Sequence, residues 1–185
     1  MKEVLVSFPV RIKKFEHHER LKDQLLTAIN EQEQFEHLLT ETNDILRVDW
    51  NTSRFDRSRK WLSIIGIELY EHLGEWCKTL GYESFDVHEI WFQQYTTGGK
   101  HAWHVHGSNF TNVYYLDLPD DTPKTEWIDP VTGTEYSFDV SEGDIITFPS
   151  WLIHRAPMNS SNKLKTIISW NMDVAVSDFY GDATK

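Results

Sequence analysis

The chain has 185 residues, 39% of them hydrophobic and 14% aromatic, with eight tryptophans. That length supports one domain with a real core, and the aromatic content fits a β-rich enzyme domain better than a helical bundle. A net charge of −11 disfavours a nucleic-acid partner held through its phosphates, and no run of about 18 apolar residues is present to cross a membrane.

In chain order, the opening stretch is too short and too charged to read as a signal peptide. The single cysteine, Cys77, excludes an internal disulfide and suits a reducing, cytoplasmic setting. Val4 to Ile12 reads as an opening strand. Leu21, Leu25, Leu26 and Ile29 recur at helical spacing and predict a helix over Phe15 to Asn30. Ile45 to Ser53 is ambiguous. Arg57 to Leu80 repeats the helical spacing, with Trp61, Ile64, Ile65, Ile67, Leu69, Leu73, Trp76 and Leu80, and stops at Gly81. Residues 1–84 therefore read as a mostly helical support region.

From residue 85 the texture changes to short apolar runs between Gly, Pro, Asp and Asn clusters. Val87–Tyr95, Asn112–Leu118, Glu135–Val140, Asp144–Phe148 and Lys165–Val174 read as strands of a sandwich or barrel. The expected class is α+β, a double-stranded β-helix (jelly-roll, cupin-like) core over residues 85–176 with N-terminal supporting helices, followed by a tail, 177–185, frayed beyond Asp178. The segment Asp117–Gly133 is a candidate lid.

Among nine histidines, three stand out. Residues 101–106 read His-Ala-Trp-His-Val-His. On a strand, His104 and His106 share a face, close enough to reach one metal ion. A third ligand must come from another strand, and His154, after Pro149 ends its own strand, is the best candidate. An open facial triad of this kind leaves positions for substrate and dioxygen. His101 falls on the opposite face of a regular strand. His17, His18, His37, His72 and His88 read as surface or helix-face residues.

The run Tyr95-Thr-Thr-Gly-Gly-Lys-His-Ala-Trp-His104-Val-His106, with Asn112-Val-Tyr-Tyr-Leu116 and Gly143-Asp-Ile-Ile-Thr-Phe-Pro-Ser-Trp-Leu-Ile-His154, resembles the 2-oxoglutarate- and iron(II)-dependent dioxygenases. It looks closest to the prolyl-hydroxylase-like group common in bacteria and their phages. The resemblance spans Trp91 to Asp173. It implies a hydroxylase with Fe(II) as cofactor, 2-oxoglutarate as small-molecule co-substrate, and a peptide, protein or small-molecule substrate. By position, His104 and His154 are the two histidine ligands, and His106 stands where most relatives carry Asp or Glu. Lys165, in place of the usual arginine, would hold the distal carboxylate of 2-oxoglutarate. Tyr95 and Tyr115 would line that pocket, and Asn171 would face the barrel interior. Trp91, Phe92, Trp103, Tyr114, Trp151 and Trp170 are candidate apolar walls, half of them turned away by strand alternation. Two other readings stay open: a cupin-type metal enzyme that does not use 2-oxoglutarate, since Gly98 to His106 fits the Gly-x5-His-x-His spacing, and a non-catalytic binding module.

Overall fold

The computed structural model describes residues 8–175. In chain order its elements are β1 (Arg11–Lys14), α1 (His18–Glu31), β2 (Glu36–Leu39), β3 (Asp44–Val48), α2 (Trp50–Ser53), α3 (Lys60–Leu80), β4 (Ser84–Tyr95), β5 (His101–His104), β6 (Phe110–Asp117), β7 (Glu126–Ile128), β8 (Glu135–Ser137), β9 (Asp144–Pro149), β10 (His154–Ala156) and β11 (Lys165–Ala175). The strands form two antiparallel sheets. The larger has the order β1-β9-β6-β11-β4-β3-β2 and the smaller β5-β10-β7-β8. Helices against one face of a sheet, with a second sheet on the other, give the expected double-stranded β-helix with supporting helices.

Strand alternation divides the interior into two layers. On β11, Ile168, Trp170 and Met172 join α1 and α3 in one core, with Ile90 and Phe92 of β4 and Tyr114 of β6. Ile167 of the same strand, with Trp91, Tyr95, Val113 and Tyr115, faces the smaller sheet in the other core. Residues an odd number apart take opposite faces. The row Lys165, Ile167, Ser169, Asn171 therefore looks between the sheets.

The 1–84 region is less helical than its composition suggests. It contributes α1 and α3, but also three strands that extend both ends of the larger sheet. Strands of four or five residues are too short to show a period, and their pairing to β9 and β4 decides them. The expected opening strand is in part displaced: β1 begins at Arg11, while 4–7 lie outside the described residues, as does the expected tail. The ambiguous 45–53 segment resolves into β3 and the short α2.

Helix α3 ends where expected. Gly81 takes φ 76°, and the Tyr82 N–H reaches back to the Cys77 carbonyl at 3.0 Å, closing the last turn. Between β3 and α2 sits Asp49, fully buried. Its carboxylate accepts from Arg59 Nη1 at 2.7 Å, Gln32 Nε2 at 3.0 Å and the backbone N–H of Phe92 at 2.9 Å. This one side chain ties together β4, the residue that follows α1 and the residue that precedes α3.

Two of the histidines read as surface or helix-face residues are buried. His18 is 1% exposed and bonds the Tyr114 hydroxyl at 2.7 Å. His72 packs edge-on to Phe15. Both lie on the buried stripes of amphipathic helices, where one polar residue is invisible to periodicity alone.

Candidate metal centre

Strands β5 and β10 are neighbours in the smaller sheet, and their register sets His104 opposite His154. The two ring centroids are 4.2 Å apart. His106 lies two residues beyond the end of β5, where its N–H donates to the Ser150 carbonyl at 2.9 Å. Its ring centroid is 5.0 Å from that of His104 and 5.2 Å from that of His154. One ring nitrogen from each of the three lies within 4.8 Å of the others. The strand alternation invoked for His104 and His106 ends at His104. The Ser150 hydrogen bond, rather than β-pairing, turns His106 inward.

Two of the three rings have a fixed tautomer. His104 Nδ1 is 2.7 Å from the Ala102 carbonyl, and His154 Nδ1 is 2.8 Å from the Leu152 carbonyl. A carbonyl oxygen only accepts, so both Nδ1 atoms carry the proton and both Nε2 lone pairs are free. Burial, followed by repulsion from His104, pushes His106 down to about 4. Burial is also the first cause of the depression at His104 and His154. His104 and His154 thus present the free Nε2 atoms that a divalent metal needs, and His106 brings a third imidazole within reach. The donor set therefore fits a first-row ion such as iron, copper, nickel or zinc.

His101 is not where regular alternation puts it. His154 pairs with His104 while Ala156 pairs with His101, so β5 carries one extra residue between the two pairs. The bulge turns His101 onto the ligand side, where its ring stacks on His104 with centroids 4.0 Å apart. Burial, then His104, pushes it down to about 3.

The histidines separate two spaces. An inner cavity between the sheets is lined by Gln93, Tyr95, Thr125, Ile167 and Ser169 beside the rings. An outer chamber of ≈ 260 Å³ is walled by Leu38, Ile45, Val48, Trp50 and Trp91, with Glu36 as the one carboxylate among the described residues lining it. Of the six aromatic wall candidates, Trp91 alone lines both spaces. Phe92, Tyr114 and Trp170 face the helices. Trp151 is 46% exposed, and Trp103 lies under the Arg155 guanidinium.

Lys165 ends the inward row of β11, paired in register with Tyr95 of β4. It is 1% exposed, its Nζ donates to the Pro123 carbonyl at 2.8 Å and lies 4.9 Å from the Tyr95 ring centroid. Among the described residues no carboxylate pairs with it, and burial pushes it down to about 8. Tyr115 is one step removed from the cavity. Its hydroxyl donates to Thr125 Oγ1 at 2.9 Å, and Thr125 lines the space. Asn171 faces inward beside His106, with Nδ2 3.3 Å from His106 Nδ1 and 3.1 Å from Glu89 Oε2.

The 117–133 segment is not a free lid. Its β7 pairs with β10, the strand that carries His154, Thr125 lines the cavity, and Pro123 holds Lys165. Acidic, Pro- and Thr-rich composition hid a three-residue strand. Gln93, Thr125 and Glu89 are site residues that sequence reasoning missed, and it sets aside His101, a possible replacement ligand, only because a regular strand would turn it away. The alternation of β4 that exposes Trp91 inward also places Gln93 and Glu89 on that face, which was a signal for both.

No family model and no curated protein matches the sequence. Solved structures match the fold throughout. The viral collagen prolyl hydroxylase of Paramecium bursaria Chlorella virus 1, in complex with 2OG, superposes with TM-score 0.63 at 14% identity, over 90% of this chain and 96% of that one. A Trichoplax adhaerens prolyl hydroxylase bound to a hypoxia-inducible-factor peptide gives 0.63 at 14% identity, over 89% and 83%. A Burkholderia pseudomallei protein of the 2OG-Fe(II) oxygenase family gives 0.64 at 12% identity, over 82% and 77%. The fold is that of the 2OG-Fe(II) oxygenases. On that oxygenase fold the three histidines of this chain converge between the two sheets, at the meeting of β5 and β10.

Proposed function

We propose that the protein is a 2-oxoglutarate- and Fe(II)-dependent hydroxylase, with His104, His106 and His154 as metal ligands and Lys165 as the anchor for the distal carboxylate of 2-oxoglutarate. The observation that carries this reading is a three-histidine cluster at β5 and β10 of the smaller sheet facing a β11 row that ends on a buried lysine with no carboxylate partner among the described residues. A metal supplies the cationic end of a dicarboxylate site and Lys165 the other. Burying an ammonium without a carboxylate is costly, and an anionic ligand would offset that cost. Iron(II) bound there would supply dioxygen activation coupled to decarboxylation of 2-oxoglutarate to succinate and carbon dioxide, with hydroxylation of a substrate C–H bond.

The chain's own residues then divide the work. Lys165 and Tyr95 bind and orient the acid at the closed end. Thr125, held by Tyr115, adds a hydroxyl to that wall. Trp91 and Ile167 keep the interior dry, which strengthens each polar contact inside. Substrate enters from the outer chamber, whose apolar walls and Glu36 carboxylate suit an uncharged or cationic group. A residue side chain on a peptide is the preferred class, in keeping with the prolyl hydroxylases of this fold.

Anaerobic titration of Fe(II) with 2-oxoglutarate tests the proposal. A visible metal-to-ligand charge-transfer band is expected, absent in His154→Ala and weakened in Lys165→Ala. Iron binding without a band would favour the cupin-type reading, to which the all-histidine ligand set also lends weight. No iron binding would overturn the metal site itself.

A further inference from the structure

The hydrogen bonds around the three ligand candidates are unequal. His104 and His154 each donate Nδ1–H to a carbonyl two residues earlier. His106 instead faces the side-chain amide of Asn171, whose nitrogen, Nδ2, lies 3.3 Å from His106 Nδ1. An amide nitrogen only donates. His106 Nδ1 must then be the acceptor, which places the ring proton on Nε2 and leaves no lone pair there for a metal.

Glu89 dictates the orientation of that amide. Glu89 Oε2 lies 3.1 Å from Asn171 Nδ2 and can only accept, while Thr111 Oγ1 donates to Asn171 Oδ1 at 3.1 Å. Turning the amide over would set two acceptors, Oδ1 and the Glu89 carboxylate, against each other. Glu89 is itself held, its Oε1 accepting from Arg54 Nε at 3.1 Å. Asn171 is 5% exposed, so water offers it little alternative.

We infer that Glu89, acting through Asn171, holds His106 in the tautomer that cannot ligate through Nε2, so that His106 joins a divalent metal only when the Asn171 amide turns over. This rests on the metal-site reading above, in which His106 is the third ligand. Glu89 and Asn171 are positioning residues in this scheme. The chain carries a histidine where an anionic ligand would need no tautomer, and the outer pair makes that histidine conditional. Outer partners of metal-bound histidines commonly change affinity by about 10- to 100-fold.

The variant Glu89→Gln separates this from a merely structural role. Arg54 Nε, at 3.1 Å from Oε1, holds an oxygen there more strongly than Trp50 Nε1, at 3.5 Å from Oε2, holds one at its place, so the new amide nitrogen takes the Oε2 place and faces Asn171. Asn171 then presents Oδ1 to it and to His106, and His106 becomes the Nδ1–H tautomer that His104 and His154 already are. Long-range ¹H–¹⁵N correlation spectra of the metal-free, ¹⁵N-histidine-labelled protein read each ring directly. Nε2–H is expected for His106 in the parent and Nδ1–H in Glu89→Gln. Co(II) affinity, measured by the absorbance of the bound ion without turnover, should rise about tenfold in Glu89→Gln. In an Asn171→Ala background the same change should move it less than about twofold, since the coupling runs through the amide. An Nδ1–H His106 in the parent would overturn the inference, as would a rise of equal size in both backgrounds. Loss of Co(II) binding in His154→Ala confirms the metal site independently. Its persistence would sink the metal reading while leaving the tautomer result to stand or fall alone.

Discussion

Lys165 carries opposing demands. Burial alone pushes its ammonium from 10.5 to about 8. Between those values the unfolded chain binds a proton that the folded chain has released, so stability rises with pH from about 8 to about 10.5. Below that window the buried charge costs on the order of 3 kcal/mol. Anion binding needs the charge, so 2-oxoglutarate affinity is expected to fall as pH rises through about 8. Lys165→Met should raise the unfolding midpoint at pH 7 in calorimetry and weaken 2-oxoglutarate by about 10- to 100-fold in isothermal titration. A lower midpoint would mean that the Pro123 carbonyl and the Tyr95 ring already offset the burial. The lysine is legible in the sequence as an inward residue of a strand. Its lack of a carboxylate partner among the described residues is not, because that depends on the segment around Pro123, 42 residues away in the chain.

At the scale of elements, the β3–α2 junction and β5 show what short segments conceal. Asp49 gathers donors from the residues flanking α1 and α3 and from β4, and its ion pair with Arg59 is fully enclosed, the two side chains 0% and 3% exposed. Removing one member of such a pair leaves the other charge buried and unpaired. Asp49→Ala is therefore expected to destabilise the fold by about 3–5 kcal/mol in urea denaturation, and a loss below about 1 kcal/mol would show that water reaches Arg59. In β5 the extra residue between His101 and His104 reverses the face of His101. Alternation from the sequence identified His104 correctly and His101 wrongly for one reason: a bulge is a property of pairing with β10, which no single strand displays.

For the whole molecule, the proposed site draws on both sheets. His104 and His154 come from the smaller sheet, while Lys165, Tyr95 and Asn171 come from the larger. A metal and a dicarboxylate that bridge them should bind only the folded chain. At about 100 times Kd, such a ligand adds roughly 2.7 kcal/mol, or about 5–10 °C for a domain of this size. Thermal melts with Co(II) and 2-oxoglutarate together are expected to shift upward by that amount and to return on chelation. A shift with 2-oxoglutarate alone, undiminished in His154→Ala, would place the acid elsewhere.

The sequence by itself determined the strand-rich half, both long helices, the alternating inward rows and the three converging histidines. These are local patterns of period 2 and 3.6, or residue types whose chemistry admits few alternatives. Tertiary structure alone decided the N-terminal strands, the bulge that turns His101, the β7 strand inside the supposed lid, and the Glu89–Asn171 contact that governs His106. Each of these is settled by hydrogen bonds between segments distant in the chain. Such bonds depend on register and orientation, which a pattern of residue types leaves open.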